Sequence, residues 1–215
     1  MGKLFVWDFH GVLERGNEYA VQEVVNRVLP KFGIERQATV EECLMLYGKK
    51  WADYYRFFVP DADEETIHQM VEKAVEISVG EKIARKYIRQ TEYAQFVLYQ
   101  IEINNHTNLL MSNSSEEALM FFLESVRLQD CFDIVFAADE HRKDYGKDSK
   151  YDFLENFLRK HAFDKVIVID DMEEGIERGL KLKATTFRYH RNGTAPESNA
   201  HYVITDLREI ILKEL

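Results

Sequence analysis

Three places in this chain put a polar side chain where an apolar run stops. Asp8 ends Leu4-Phe5-Val6-Trp7, and Ser112 ends Leu109-Leu110-Met111 with Asn113 beside it. Asp170-Asp171 ends Val166-Ile167-Val168-Ile169, and a cation-dense stretch, His141 to Lys150, lies between the second and last of these. A carboxylate at such a point can attack an electrophile, ligate a metal or cap a helix. Ser112 precedes Ser115-Glu116-Glu117, which has helix-start character, and a hydroxyl near a helix N-terminus suits a phosphate oxygen. Two adjacent carboxylates after four β-branched residues are costly to bury unless a cation neutralises them. That pair is the strongest physical sign of a Mg²⁺ site in the chain. Each feature also has a plain reading: a turn, a helix cap, a solvated charge run.

The elements that must position these groups are strands of an α/β sheet. Leu4–Trp7 is too short for a typical helix and right for a buried strand, and Gly11 lets the chain turn sharply behind it. In open α/β sheets, ligands bind beyond the carboxyl ends of the strands, so Asp8 would stand at a mouth. Further strands are expected at 108–111, 132–137, 166–169, 184–187 and 202–204, with helices at 91–103, 151–158 and 206–215. Between the first strand and Gly80 the pattern is helical throughout. Val21, Val24, Val25 and Val28 recur at helical spacing, a second stretch runs from Val40 to Phe58 with a break at Gly48, and Asp63 can cap a third that ends near Gly80.

Within that helical region, Gly48-Lys49-Lys50-Trp51 joins a break, two cations and an aromatic ring, which would suit an anionic ligand. The plainer reading is a solvated break beside a half-buried Trp. Tyr54, Tyr55, Phe57 and Phe58 are most simply core packing.

Composition narrows the function classes. Hydrophobic residues make up 46% and charged residues 31% of 215, an ordinary balance for a soluble globular chain. The net charge of −10 disfavours nucleic-acid and anionic-membrane partners, which need a basic footprint. It leaves room for an anionic substrate, since a metal and a few cations can reverse the field inside one cleft. Cys43 and Cys131 lie far apart in apolar surroundings and are expected to be buried free thiols. No secretory signal and no run of membrane-spanning length is visible, so a cytoplasmic location is expected.

Asp8, Ser112, a lysine and Asp170-Asp171, in that order, resemble the haloacid dehalogenase superfamily over nearly the whole chain. The resemblance implies a three-layer, Rossmann-like α/β core with a mainly parallel sheet, from residues 1–14 and 86–215. The helical region, 15–85, is similar to the family's cap. The resemblance places the Leu4–Trp7 strand in the middle of the sheet, between the 109–111 and 166–169 strands. It implies Asp8 as nucleophile, Ser112 as donor to a phosphoryl oxygen, and Lys147, with Lys150 the alternative, holding Asp8 and the phosphate together. Asn113, Lys49 and Lys50 are further candidates for substrate contact. It implies Mg²⁺ held by Asp8, the backbone carbonyl of His10, Asp170 and Asp171.

Two positions depart from the family pattern. The phosphatases that the chain resembles carry a second Asp where this chain has His10, serving as acid for the leaving group and then base for water. His10 is open to three roles: a replacement acid/base, a backbone metal donor only, or the mark of a binding protein that no longer turns over. Gly175 stands where many members place another acid, for which Glu173 or Glu174 could compensate. Carbon–halogen displacement needs no divalent cation, so the acid pair points to phosphorus. The expectation is a phosphohydrolase acting on a small phosphorylated metabolite. A silent metabolite-binding protein is the alternative, and a phosphonatase using Lys49 or Lys50 a minor one.

Overall fold

The computed structural model describes residues 2–139, 149–191 and 196–215. The chain divides into two compact units, Met1–Glu14 with Gln90–Leu215, and Arg15–Arg89. Two-residue strands, β2 (Glu14–Arg15) and β3 (Arg89–Gln90), mark the two crossings between them.

The first unit is built on β1 (Leu4–Asp8), β4 (Thr107–Ser112), β5 (Ile134–Ala137), β6 (Val166–Asp170), β7 (Thr185–Tyr189) and β8 (Tyr202–Ile204). They form one six-stranded sheet in the order β5-β4-β1-β6-β7-β8, every pairing parallel. As expected, β1 lies between the 107–112 and 166–170 strands, with Val6 opposite both Leu109 and Val168. A strand covered on both faces must be apolar at every position, and Leu4, Phe5, Val6 and Trp7 are all buried.

The period of two along each strand decides which helix meets which side chain. Leu4, Val6, Leu109, Met111 and Val168 share one face and pack with Leu154 of α8 (Ser149–Lys160), while α9 (Glu173–Lys181) brings Gly179 against Val168 there. Asp8 and Asp170 have the parity of that face. On the other face, buried Asn108 accepts from the Trp7 indole N–H at 3.0 Å and donates to the Leu98 carbonyl at 3.0 Å. Leu98 belongs to α6 (Ala94–Ile103), against which α10 (Arg208–Glu214) packs. These are the expected three layers. The helix α7 (Glu116–Val126) follows β4, its N-cap Ser115 accepting from the Ala118 N–H.

The second unit is helical: α1 (Asn17–Val28), a 3₁₀ turn Leu29–Phe32, α2 (Val40–Met45), α3 (Trp51–Phe58), α4 (Glu64–Gly80) and α5 (Ala84–Tyr87). Thr39 and Glu42 form a capping box on α2, and Asp63 caps α4. Val24, Val25, Tyr55, Phe58, Ile67 and Met70 make its core, while Phe57 stays at the edge. Cys43 is buried, but Cys131 of the first unit is only half-buried, a departure from the expected pair of buried thiols. Among the described residues, no helix is long and apolar enough to cross a membrane.

Candidate functional site

Asp8 ends the central strand, and its neighbours come from the face that its parity selects. Lys150 and Tyr151 stand in the first turn of α8, directly over that face. The Lys150 ammonium bonds Asp8 Oδ1 and lies 3.7 Å from Asp170 Oδ2. The Tyr151 hydroxyl is 3.3 Å from Asp170 Oδ2 and 3.1 Å from the Gly175 carbonyl, and the Met172 N–H donates to Asp170 Oδ1 at 2.9 Å. Carboxylate oxygens of Asp8, Asp170 and Asp171 all lie within 4.8 Å of one another.

Among the described residues, three carboxylates thus face one buried ammonium. Burial lifts the Asp170 carboxyl to about 6; Lys150 opposes the rise and Asp8 adds to it. Burial also pushes Asp171 well above the usual carboxylate range, helped by repulsion from Asp8 and Asp170. Burial alone would pull the Lys150 ammonium down, yet the surrounding carboxylates outweigh it and hold its pKa above the ordinary lysine value. A hard cation with oxygen ligands fits this donor set, because it would relieve repulsion that one lysine leaves in place.

Two glycines make room for the acids. A Cβ on Gly11, which has φ +84°, would fall 2.1 Å from Asp171 Oδ2. A Cβ on Gly175 would fall 2.0 Å from Asp170 Oδ2, so no acidic residue can occupy that position with Asp170 where it is. Glu173, one expected substitute, is engaged elsewhere: its carboxylate accepts from Arg188 at 2.7 Å, Ser198 Oγ at 2.6 Å and the Asn199 N–H at 2.8 Å. Glu174 is exposed. Gly175→Ala should displace Asp170 and cost about 1–3 kcal/mol by overpacking. Gly80→Ala, which meets open space at the end of α4, is the control and should be neutral or slightly stabilising. Urea unfolding of the two variants would check this, and equal midpoints would mean Asp170 yields without cost.

Ser112 is buried at the end of β4 and accepts from the Ser114 N–H at 3.2 Å. Asn113 is exposed. The His10 ring lies 3.1 Å (Nδ1) from Glu14 Oε1 and 3.2 Å (Nε2) from Ser114 Oγ, with edge-on contacts to Phe9 and Phe122. Lys49 and Lys50 belong to the helical unit, both exposed, with Lys50 at the N-cap of α3. Lys147 and the cations before it lie outside the described residues. Among the described residues, the lysine beside Asp8 is Lys150, the alternative to the expected Lys147.

Sequence reasoning passed over Tyr151, Glu14 and Ser114. Glu14 carried a weak signal: it follows the apolar Val12 and Leu13, and the structure buries all three.

A parallel sheet whose middle strand ends in a carboxylate, with a lysine and an acid pair around it, defines a Rossmann-like α/β protein with a strand-end acidic site. The family model of haloacid dehalogenase-like hydrolases matches residues 5–188, and the chain belongs to that family. Solved structures with the same fold share little sequence. A Clostridium difficile protein provisionally assigned as a phosphatase has a TM-score of 0.81 at 17% identity, covering 100% of this chain and 99% of its own. A haloacid dehalogenase-like hydrolase from Streptococcus pneumoniae has a TM-score of 0.79 at 10% identity, covering 100% and 99%. CbbY from Rhodobacter sphaeroides, solved with phosphate, has a TM-score of 0.75 at 13% identity, covering 98% and 96%. A CbbY mutant was also solved with xylulose-(1,5)bisphosphate. No curated protein sequence matches this chain.

Proposed function

We propose that the protein is a Mg²⁺-dependent phosphohydrolase acting on a small phosphorylated metabolite. The observation that carries this reading is Asp8 at the end of the central strand, paired with Lys150 and facing Asp170 and Asp171. The phosphate and the sugar bisphosphate bound to CbbY support a substrate of that class.

A carboxylate oxygen of Asp8 forms a bond to phosphorus as the bond to the leaving oxygen breaks. Water then attacks phosphorus, the Asp8–phosphorus bond breaks, and inorganic phosphate leaves with the carboxylate regenerated. Asp8, the His10 carbonyl, Asp170 and Asp171 would hold Mg²⁺, which when bound neutralises charge shared by these carboxylates and the phosphoryl oxygens. Lys150 holds the Asp8 carboxylate in place and adds a positive charge toward the phosphoryl group. Lys147 remains the other candidate for that contact. Ser112 and Asn113 donate to phosphoryl oxygens, and Lys49 and Lys50 are the helical unit's candidates for the rest of the substrate. His10 gives a proton to the leaving oxygen and takes one from water, in the place of the family's second Asp.

A second reading draws on one observation: both His10 ring nitrogens already have partners in the protein. On that reading the protein binds phosphorylated metabolites without turning them over. A screen of phosphorylated metabolites, with Mg²⁺ and with EDTA, separates the two. The phosphohydrolase should release phosphate only with Mg²⁺, whereas a silent binder should release none in either condition.

A further inference from the structure

Glu14 is a fully buried carboxylate that the phosphohydrolase reading leaves without a task. It stands where the chain leaves the site, after the turn at Gly11 and the buried pair Val12 and Leu13. The turn brings it back onto His10, four residues earlier. Oε1 lies 3.1 Å from His10 Nδ1 and accepts from the Gly11 N–H at 3.4 Å. On the far side of the ring, His10 Nε2 lies 3.2 Å from Ser114 Oγ, whose backbone N–H is anchored on Ser112. The ring is held edge-on by Phe9 at 5.1 Å and Phe122 at 5.0 Å between centroids.

We propose that Glu14 is the positioning residue of His10: it holds the imidazole as the Nδ1–H tautomer and leaves Nε2 as the ring's working nitrogen. A carboxylate can only accept from an N–H, so Nδ1 must carry the hydrogen for this contact to be a bond. Nε2 is then an acceptor, and Ser114 Oγ–H donates to it while no substrate is near. An imidazole left unoriented would spend part of its time in the other tautomer, with no lone pair on the nitrogen that faces Ser114. The placement also accounts for the departure at this position. The resembled phosphatases have a carboxylate two residues after the nucleophile; here an imidazole stands there, and the carboxylate sits behind it.

The role in turnover rests on the phosphohydrolase reading, but the tautomer does not, so two readouts are needed. The first is ¹⁵N NMR of the His10 ring in the wild-type protein. The Nδ1–H tautomer is expected, and an Nε2–H ring would overturn the proposal without any variant being made. Glu14→Leu should release the ring into a mixture of tautomers. Glu14→Gln should keep the wild-type tautomer, because the Gly11 N–H keeps an oxygen turned toward Nδ1.

The second readout is the rate with Mg²⁺ for an alkyl phosphate and for an activated aryl phosphate. Glu14→Leu should slow the alkyl substrate roughly ten- to a hundredfold, the scale of lost orienting contacts, and the aryl substrate much less. Glu14→Gln should restore most of the difference. An unchanged tautomer in Glu14→Leu, or a shifted tautomer with an unchanged aryl-to-alkyl ratio, would overturn the assignment. Absence of turnover in the wild type would sink the phosphohydrolase reading instead, and the His10 tautomer would then decide on Glu14 alone.

Discussion

Asp8→Asn should cut Mg²⁺-dependent phosphate release by at least roughly a thousandfold, with the protein still folded. An amide oxygen is a poor nucleophile and cannot form the acyl phosphate, so no amount of substrate binding would compensate. Two opposite effects act on stability. The change removes one of three mutually repelling carboxylates, but it also takes the ion-pair partner from a buried lysine. The unfolding midpoint should therefore move far less than the activity. Steady-state phosphate release and a urea melt on the same preparation would measure both. Residual turnover above about a tenth of wild type would remove Asp8 as nucleophile.

Lys150→Met should be damaging in both respects. The ammonium is buried against Asp8 and Asp170, and its loss leaves those acids without the cation that faces them. Breaking a buried pair by removing one partner costs about 3–5 kcal/mol, and losing a charge aimed at the phosphoryl group costs about a hundredfold or more in rate. Added Mg²⁺ should recover part of the stability, since it too brings positive charge to the acids, but not the rate. Lys150→Arg should rescue neither, because a planar guanidinium does not fit the space of a compact ammonium. Lys147→Met made in parallel resolves the lysine that the sequence leaves open. If it abolishes turnover while Lys150→Met keeps wild-type stability and rate, Lys147 takes the catalytic place.

Much of the fold was legible because the chain writes its strands as apolar runs with abrupt polar ends. Leu4–Trp7 and Val166–Ile169 are buried on both faces, so every position is apolar and the pattern is short and unmistakable. Their neighbouring places in the sheet followed from the resemblance. The two-residue strands at Glu14–Arg15 and Arg89–Gln90 were missed, since two residues carry no periodicity.

The surroundings of the acids were less legible. Which lysine meets Asp8 depends on how α8 is placed, and in a stretch of mixed charge no periodicity marks that; within Ser149–Lys160, Lys150 is the lysine that reaches Asp8. Gly175 reads in the sequence as a missing acid, whereas in space it is clearance for Asp170. Glu14 follows the apolar Val12 and Leu13, but only the turn at Gly11 reveals that it faces inward onto His10.

The three carboxylates, Lys150, His10 and Glu14 all come from one of the two units, and the chain leaves that unit at Glu14 and re-enters it at Gln90. All six side chains are supplied by the 1–14 and 90–215 segments, and the 15–89 segment supplies none of them. That segment, about a third of the chain, can therefore change without replacing any of the six groups themselves.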